Sequence, residues 1–163
     1  MIEQGLQQEI NIVMTEARNR RLEFVTVEHL LLALLNMDEV ISFLRGKRVN
    51  IDELRAELDQ YIDSHTPIIS EDAEIDIVPT VGFQRVLQRS VYQAQSAQKN
   101  SVNAMNVFVS IFSEKESHAV YMLKLNNISR LDVMEGISSQ LADTPIEKTK
   151  KVEGEKQTKP SSL

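Results

Sequence analysis

The residues whose type and spacing most suggest a catalytic or binding site in this sequence are two carboxylates, Glu23 and Glu28. They flank Thr26, a residue type that often begins a helix, so the spacing predicts both carboxylates at the mouth of that helix. Such a pair can act as general acid and base, or it can bind a basic group of a partner. The structural alternative is that Glu28 complements the helix dipole and Glu23 is a solvated loop residue.

No other feature of the sequence predicts catalysis. The chain has no cysteine, no GxxxxGK[ST] phosphate loop, no GxSxG elbow and no HExxH zinc motif. Its three histidines, His29, His65 and His118, are far apart, and we expect surface or part-buried side chains rather than metal ligands. No nucleophile, oxyanion donor or substrate pocket is indicated. We therefore expect that this chain is not an enzyme, binds no cofactor and holds no metal.

The charge and hydropathy of the sequence argue against nucleic acids and membranes as partners. The net charge is −6, and the five Lys and three Glu after residue 146 leave −8 on residues 1–146. An acidic body argues against nucleic acid, because binding to phosphates requires clustered Lys and Arg. Arg18, Arg20 and Arg21 are too few to reverse this balance and suit the C-terminal dipole of the first helix. The longest apolar run, six residues, is too short to cross a bilayer. We expect a cytoplasmic protein with protein partners, and no membrane.

The elements that must position these residues occur twice in the chain. An offset of 77 residues, from Leu6 to Phe83, aligns two amphipathic helices and then two apolar helices that begin after Thr26 and Asn103. The second apolar segment is rich in β-branched and aromatic residues, so its composition alone would also suit a strand. The repeat favours a helix at both places.

Two further helices complete each copy. A short helix is predicted near Val40–Leu44 and near His118–Leu125, and a final helix follows Asn50 in the first copy and Asn127 in the second. On the last helix, Met134, Ile137 and Leu141 are expected to face the core. The sequence thus predicts an all-α fold of pseudo-two-fold duplicated four-helix units, eight helices in total, sharing one core.

The domain boundaries follow from composition. We expect one domain over residues 1–143, with repeat one at about 1–63 and repeat two at about 80–143. Ser64–Pro79 between them is a long acidic connector. Residues 144–163 are rich in Lys, Glu, Thr, Ser and Pro, which predicts a flexible linker at the end of an excised domain.

Four blocks of sequence, in order, resemble the amino-terminal domain of Clp ATPases. They are EFVTVEHLLLALL from Glu23, FQRVLQRSVYQAQS from Phe83, SIFSEKESHAVYML from Ser110 and ISRLDV from Ile128. The resemblance covers roughly residues 1–143 and is nearest to the ClpA type, the unfoldase that feeds the ClpP peptidase. It implies a duplicated four-helix fold and a parent protein whose two ATPase modules would bind ATP and magnesium.

The resemblance also implies a function. Domains of the ClpA type bind the ClpS adaptor, which delivers proteins with destabilising N-terminal residues, and they receive substrates above the ATPase ring. It assigns adaptor contacts to the positions of Glu23, Glu28 and Thr80 in this sequence. The alternative is a direct receptor for unfolded polypeptides, which would use an exposed apolar groove and no adaptor. High salt would weaken docking by carboxylates but not apolar capture, so salt dependence separates the two.

Overall fold

The computed structural model of this chain describes residues 1–142 except residue 75, and these residues form eight helices and one pair of short strands. In chain order they are α1 (Gln4–Asn19), β1 (Phe24–Val25), α2 (Val27–Leu34), α3 (Asp38–Gly46), α4 (Ile51–His65), β2 (Val78–Pro79), α5 (Val81–Ser96), α6 (Ala104–Ile111), α7 (His118–Leu125) and α8 (Arg130–Ala142). The predicted all-α fold of eight helices is confirmed. The predicted linker at 144–163 lies outside the described residues.

Short polar residues begin the two central helices at the predicted positions. Thr26 Oγ accepts a hydrogen bond from His29 N at the start of α2, and Asn103 Oδ1 accepts one from Asn106 N at the start of α6. In each case the side chain three residues into the helix accepts a hydrogen bond from the backbone N–H of the cap residue. These are two equivalent capping boxes, which satisfy N–H groups that no helical carbonyl can reach.

Helices α2 and α6 contact each other at the centre of the molecule, with α1 packed on α2 and α5 packed on α6. Nearly every residue of both central helices is buried. Phe108 of α6 is fully buried, and its ring meets that of Phe43 in α3 edge-on at 5.9 Å. The segment whose composition would suit a strand is therefore a helix, because burial on all faces outweighs its weak helix propensity.

The backbone pairing between the two copies is symmetric. β1 pairs in parallel with β2, which places Val25 opposite Pro79. A second parallel bridge joins Ile2 to Val102. The offset of 77 residues relates Ile2 to Pro79 and Val25 to Val102, so the two bridges are one contact with the copies exchanged. The two four-helix units thus share one core about a pseudo-two-fold axis, as the sequence predicted.

The predicted alignment of Asn50 with Asn127 is wrong by two residues. Helix α4 begins after Asn50, but α8 begins after Ser129, whose hydroxyl accepts a hydrogen bond from Asp132 N at 3.1 Å. Asn127 instead has a φ of 61° and corresponds to Arg48, whose φ is 63°. The offset changes from 77 to 79 because the loop between α6 and α7 is longer than the loop between α2 and α3.

The changed offset also alters which face of α8 is buried. Val133, the counterpart of Leu54 in α4, is fully buried, and Ile137 packs against the core. Met134 and Leu141 were expected to face the core, but they are 41% and 50% exposed. Among the short helices, α7 has the bounds that the sequence predicted, and α3 is longer than predicted at both ends.

No helix in the described part of the chain is both long and apolar enough to pass through a lipid bilayer.

Candidate partner-docking site

Glu23 and Thr80 lie on one strip of backbone, where the segments before and after the connector pair with each other. Glu23 N donates to Pro67 O at 2.8 Å, and Glu23 O accepts from Val78 N at 3.0 Å. Thr80 N donates to Val25 O at 3.0 Å. Both side chains are partly exposed. The fold therefore fixes the backbone of both residues and leaves their side chains at the surface.

Thr80 also begins α5, since its hydroxyl oxygen accepts a hydrogen bond from Phe83 N at 3.2 Å. The cap uses the hydroxyl as an acceptor, so its hydrogen can still be donated to a partner. Val78 and Val81 on either side are 46% and 68% exposed. We call Glu23, Val78, Thr80 and Val81 the ladder strip. It offers a partner one carboxylate, one hydroxyl and two apolar side chains on a rigid backbone.

Glu28 does not accompany Glu23 at the surface. It is 7% exposed, and its Oε2 accepts a hydrogen bond from Ala119 N, in the first turn of α7, at 2.9 Å. The dipole of α7 favours a negative charge at this end. The pKa of Tyr61 in α4 is raised, first by the burial of its hydroxyl and then by the nearby negative charge of Glu28. The two carboxylates expected together at a helix mouth are thus separated, and the buried one ties repeat one to repeat two.

His29 lies beside Glu28 in sequence but has a different role. Its Nδ1 accepts a hydrogen bond from Thr26 N at 3.0 Å, so the neutral ring carries its proton on Nε2. Burial, and then the positive charge of Arg20, lower the pKa of His29 to about 4. Its Nε2 is buried and makes no hydrogen bond within the described part of the chain. His29 is therefore a neutral capping residue at physiological pH.

Of the three arginines at the end of α1, Arg18 and Arg21 hold the acidic connector, and Arg20 contacts α4. Arg18 Nε donates to Asp76 at 2.9 Å, and Arg20 forms an ion pair with Asp63. Arg21 donates to the backbone oxygens of Ile69, Ser70 and Ala73. These arginines were expected only to complement the helix dipole. The contact of Arg18 was signalled by the opposite charge of the connector, with its four acidic residues between 71 and 76, whereas Arg21 binds backbone oxygens and Arg20 a carboxylate of α4.

The other two histidines stack on one tyrosine. The rings of His65 and His118 lie on Tyr61, at 4.1 Å and 3.8 Å between centroids, and Tyr121 packs against His118. This arrangement joins α4 to α7, and the sequence did not indicate it because the four rings come from two distant segments. Within the described residues, no group of three or more His, Cys, Asp or Glu side chains is placed to hold a metal ion.

An ion cluster that the sequence analysis missed lies at the start of α5. Glu114, in the loop after α6, accepts hydrogen bonds from Arg85 at 2.8 and 2.6 Å, and Arg89 approaches it at 3.5 Å. The hydrogen bonds from Arg85 lower the pKa of Glu114 even though burial opposes them. One signal was available, because Arg85 and Arg89 are one helical turn apart and share a face of α5.

Comparisons with known proteins agree with this architecture. Residues 1–126 match the family described as the Clp repeat (R) N-terminal domain. A ClpA homolog protein of Fuscovulum blasticum is 35% identical over 141 residues, which make up 86% of this chain and 18% of that protein. The chain thus spans less than a fifth of the length of this relative.

Solved structures with this fold include other Clp N-domains at low sequence identity. The Hsp104 N-terminal domain from Candida albicans has a TM-score of 0.70 at 12% identity, covering 83% of this chain and 87% of that one. The N-domain of ClpV from Vibrio cholerae has a TM-score of 0.69 at 14% identity, covering 88% and 87%. A ClpV N-domain in complex with a VipB peptide has a TM-score of 0.65 at 15% identity, covering 88% and 89%. The family match extends over most of the sequence and accords with the duplicated eight-helix fold, so this chain belongs to the Clp N-terminal domain family.

Proposed function

We propose that this domain docks a ClpS-type adaptor through the ladder strip and so brings protein substrates to a Clp ATPase of the ClpA type. The observation that carries the proposal is the exposure of Glu23 and Thr80 on one strip whose backbone is fixed by pairing on both sides of the connector. A pre-organised strip loses little conformational entropy on binding. The ClpV N-domain, which has this fold, forms a complex with a VipB peptide, and this supports a partner-binding role.

In this proposal the residues of the strip have different tasks. The Glu23 carboxylate faces a basic group of the adaptor, and charge complementarity of this kind favours the correct partner and orientation. The Thr80 hydroxyl donates a hydrogen bond, and Val78 and Val81 supply apolar contact area. Glu28 acts indirectly, because its carboxylate is engaged by α7 and its burial keeps it from direct contact.

The proposal extends to the parent protein. The domain itself performs no chemistry, and ATP hydrolysis with magnesium belongs to ATPase modules outside this sequence. In the cytoplasm, the parent would unfold the delivered substrates and pass them to the ClpP peptidase. A linker between this domain and the ring would raise the local concentration of the adaptor near the pore.

A second function is favoured by a separate observation. Leu131, Met134 and Leu141 are exposed along α8, and exposed apolar side chains that group together often mark a binding site. These residues would suit a direct receptor for unfolded polypeptides that needs no adaptor. Binding of an unfolded chain through α8 would persist in high salt, whereas adaptor docking through Glu23 would weaken.

Calorimetric titration with ClpS tests the main proposal. We expect one-to-one binding by the native chain and an affinity about tenfold lower for Glu23→Gln, equivalent to about 1.4 kcal/mol. Glu135→Gln, the same change at an exposed position of α8, is the matched control and should bind as the native chain does. Failure of the native chain to bind ClpS would refute the adaptor proposal. Equal binding by Glu23→Gln and the native chain would keep the adaptor but remove Glu23 from the interface.

A further inference from the structure

A groove lies between the end of α6, helix α7 and the start of α8, and it shares no lining residue with the ladder strip. Phe112, Val120 and Ile128 form its apolar floor, and its volume is about 480 Å³. Three cationic side chains surround this floor: Lys115, Lys124 and Arg130. All three are exposed, and none makes a hydrogen bond or ion pair with any of the residues that the structure describes. We call this the α6–α8 groove.

Repeat one has an equivalent groove that is smaller, and one of its own side chains lines it. Leu35, Ile41 and Val49 correspond to the three floor residues of the α6–α8 groove, in a space of about 310 Å³. Arg55 of α4 lies across this space and donates to Leu35 O at 3.0 Å and to Asn36 Oδ1 at 3.2 Å. The end of α2 is therefore covered by the protein itself.

Repeat two has no equivalent of Arg55. The offset of 79 residues that relates α4 to α8 places Met134 where repeat one has Arg55. Met134 has no cationic group to donate to the end of α6, and it is 41% exposed. The groove with an arginine beside it has a volume of about 310 Å³, and the groove without one has a volume of about 480 Å³.

The positive side chains around the α6–α8 groove indicate which kind of ligand it would bind. Residues 1–146 carry a net charge of −8. The three unpaired cations around the apolar floor therefore form a local positive patch on an acidic domain. Carboxylates of a partner would gain from these cations, most strongly at low ionic strength. The methylene stems of the lysines would add apolar contact along the rim.

We propose that the α6–α8 groove binds an acidic peptide segment of a partner protein that carries one apolar side chain. The apolar side chain covers Phe112, Val120 and Ile128, and carboxylates on either side of it meet Lys124, Arg130 and Lys115. This site is separate from the ladder strip and has the opposite charge preference, because the strip presents a carboxylate to a basic partner. The domain would thus hold two kinds of protein segment at once.

The test uses fluorescein-labelled peptides and the whole 163-residue chain at low salt. The probe is Glu-Asp-Phe-Asp-Glu, compared with the neutral peptide Gln-Asn-Phe-Asn-Gln and with Glu-Asp-Ser-Asp-Glu, which lacks the apolar side chain. We expect the probe to bind more tightly than either comparison peptide. Its amide chemical-shift changes should centre on residues 112–130.

Two variants locate the site. Lys124→Gln should raise the dissociation constant of the probe about two- to fivefold, the range for an exposed ion pair, whereas Lys99→Gln, the same change at an exposed position in the loop after α5, should not. Met134→Arg copies Arg55 of repeat one and should weaken binding at least about threefold by narrowing the groove. Because the added positive charge alone would strengthen binding of an acidic peptide, a loss isolates the effect of narrowing the groove.

Several results would overturn the proposal. They are the absence of probe binding at about 1 mM, equal binding of the neutral peptide, and equal effects of Lys124→Gln and Lys99→Gln. Shift changes confined to other parts of the chain would do the same. Concentration-dependent self-association of the chain alone, reversed by Lys124→Gln, would assign the groove to a second copy instead of a partner peptide.

Discussion

At the scale of single residues, Glu28 and His29 are adjacent in sequence and both are buried, yet each is satisfied in its own way. Glu28 keeps a polar environment because a backbone N–H from the other repeat donates to it. His29 gives up its charge and caps the helix that contains it. Burial of a carboxylate is favourable only with such a partner, and burial of an imidazole only in the neutral form.

Glu28→Ala should lower the free energy of unfolding by about 1–3 kcal/mol, because it leaves Ala119 N buried without an acceptor. Glu28→Gln keeps an acceptor oxygen and should lose only the interaction of the charge with the dipole of α7, up to about 1 kcal/mol. Urea unfolding of the two variants measures the difference. Equal stability of Glu28→Ala and the native chain would contradict the hydrogen bond to α7.

The lowered pKa of His29 leads us to expect that the folded protein loses stability in acid. The unfolded chain protonates this residue below its ordinary pKa of 6.5, but the folded chain protonates it only below about 4. The unfolded state thus binds more protons between these values, and stability falls by about 3 kcal/mol as the pH decreases from 6.5 to 4. His29→Asn, which copies Asn106 of repeat two, should retain the capping box and remove this part of the loss.

The comparison of His29→Asn with the native chain isolates the histidine from the carboxylates that also titrate in acid. Urea unfolding at pH 7 and pH 4.5 is the measurement. The native chain should lose more stability than the variant between these two values. An identical loss in both would contradict a lowered pKa at His29.

At the scale of helices and strands, the repeat itself was the strongest signal in the sequence. The offset of 77 residues predicted both N-cap residues and assigned α6 as a helix against its own composition. It failed after α6 because the loop before α7 is longer than its counterpart in repeat one, and the shared residue type of Asn127 and Asn50 concealed the change. Asn tolerates a positive φ, so the same residue type suits a helix cap and the left-handed position before α8.

Helix α8 approaches the core closely at Gly136. A Cβ atom at this position would lie 2.6 Å from Cδ1 of the Phe43 ring, which itself packs on Phe108. Alanine improves helix propensity by about 1 kcal/mol, but the overlap with a packed ring costs about 1–3 kcal/mol. Gly136→Ala should therefore lower stability, with Gly46→Ala at an open position of α3 as the control. A more stable Gly136→Ala would show that Phe43 can move aside freely.

At the scale of the whole molecule, α2 and α6 make the two repeats one folding unit. Neither central helix can be buried by its own repeat alone, because each has apolar residues on almost every face. The strand pair and the Ile2–Val102 bridge connect the copies a second time at the periphery. We therefore expect a single cooperative unfolding transition.

Phe108→Ala should reveal this cooperativity. Truncation of this fully buried ring should cost about 3–5 kcal/mol. Amide signals from α1 in repeat one and from α5 in repeat two should move to lower urea midpoints by the same amount. An unchanged midpoint for α1 alone would show that the repeats unfold separately.

Much of the fold, but less of the candidate site, could be predicted from the sequence. Helix positions follow from local periodicity and caps, which the repeat shows twice. The burial of Glu28 could not be foreseen, because its partner is a backbone N–H that lies 91 residues away in sequence. Glu23 and Thr80 were expected in one neighbourhood from the family resemblance, and the pairing of the strands supplies the physical reason.

The central claim, that the ladder strip docks the adaptor, is tested most directly by adding unlabelled ClpS to the isotope-labelled domain and following the backbone amides. We expect the largest chemical-shift changes at residues 23–26 and 78–81, with smaller effects along α8 and at the α6–α8 groove. Changes that centre on α8 or on residues 112–130 and leave the ladder strip unaffected would contradict it.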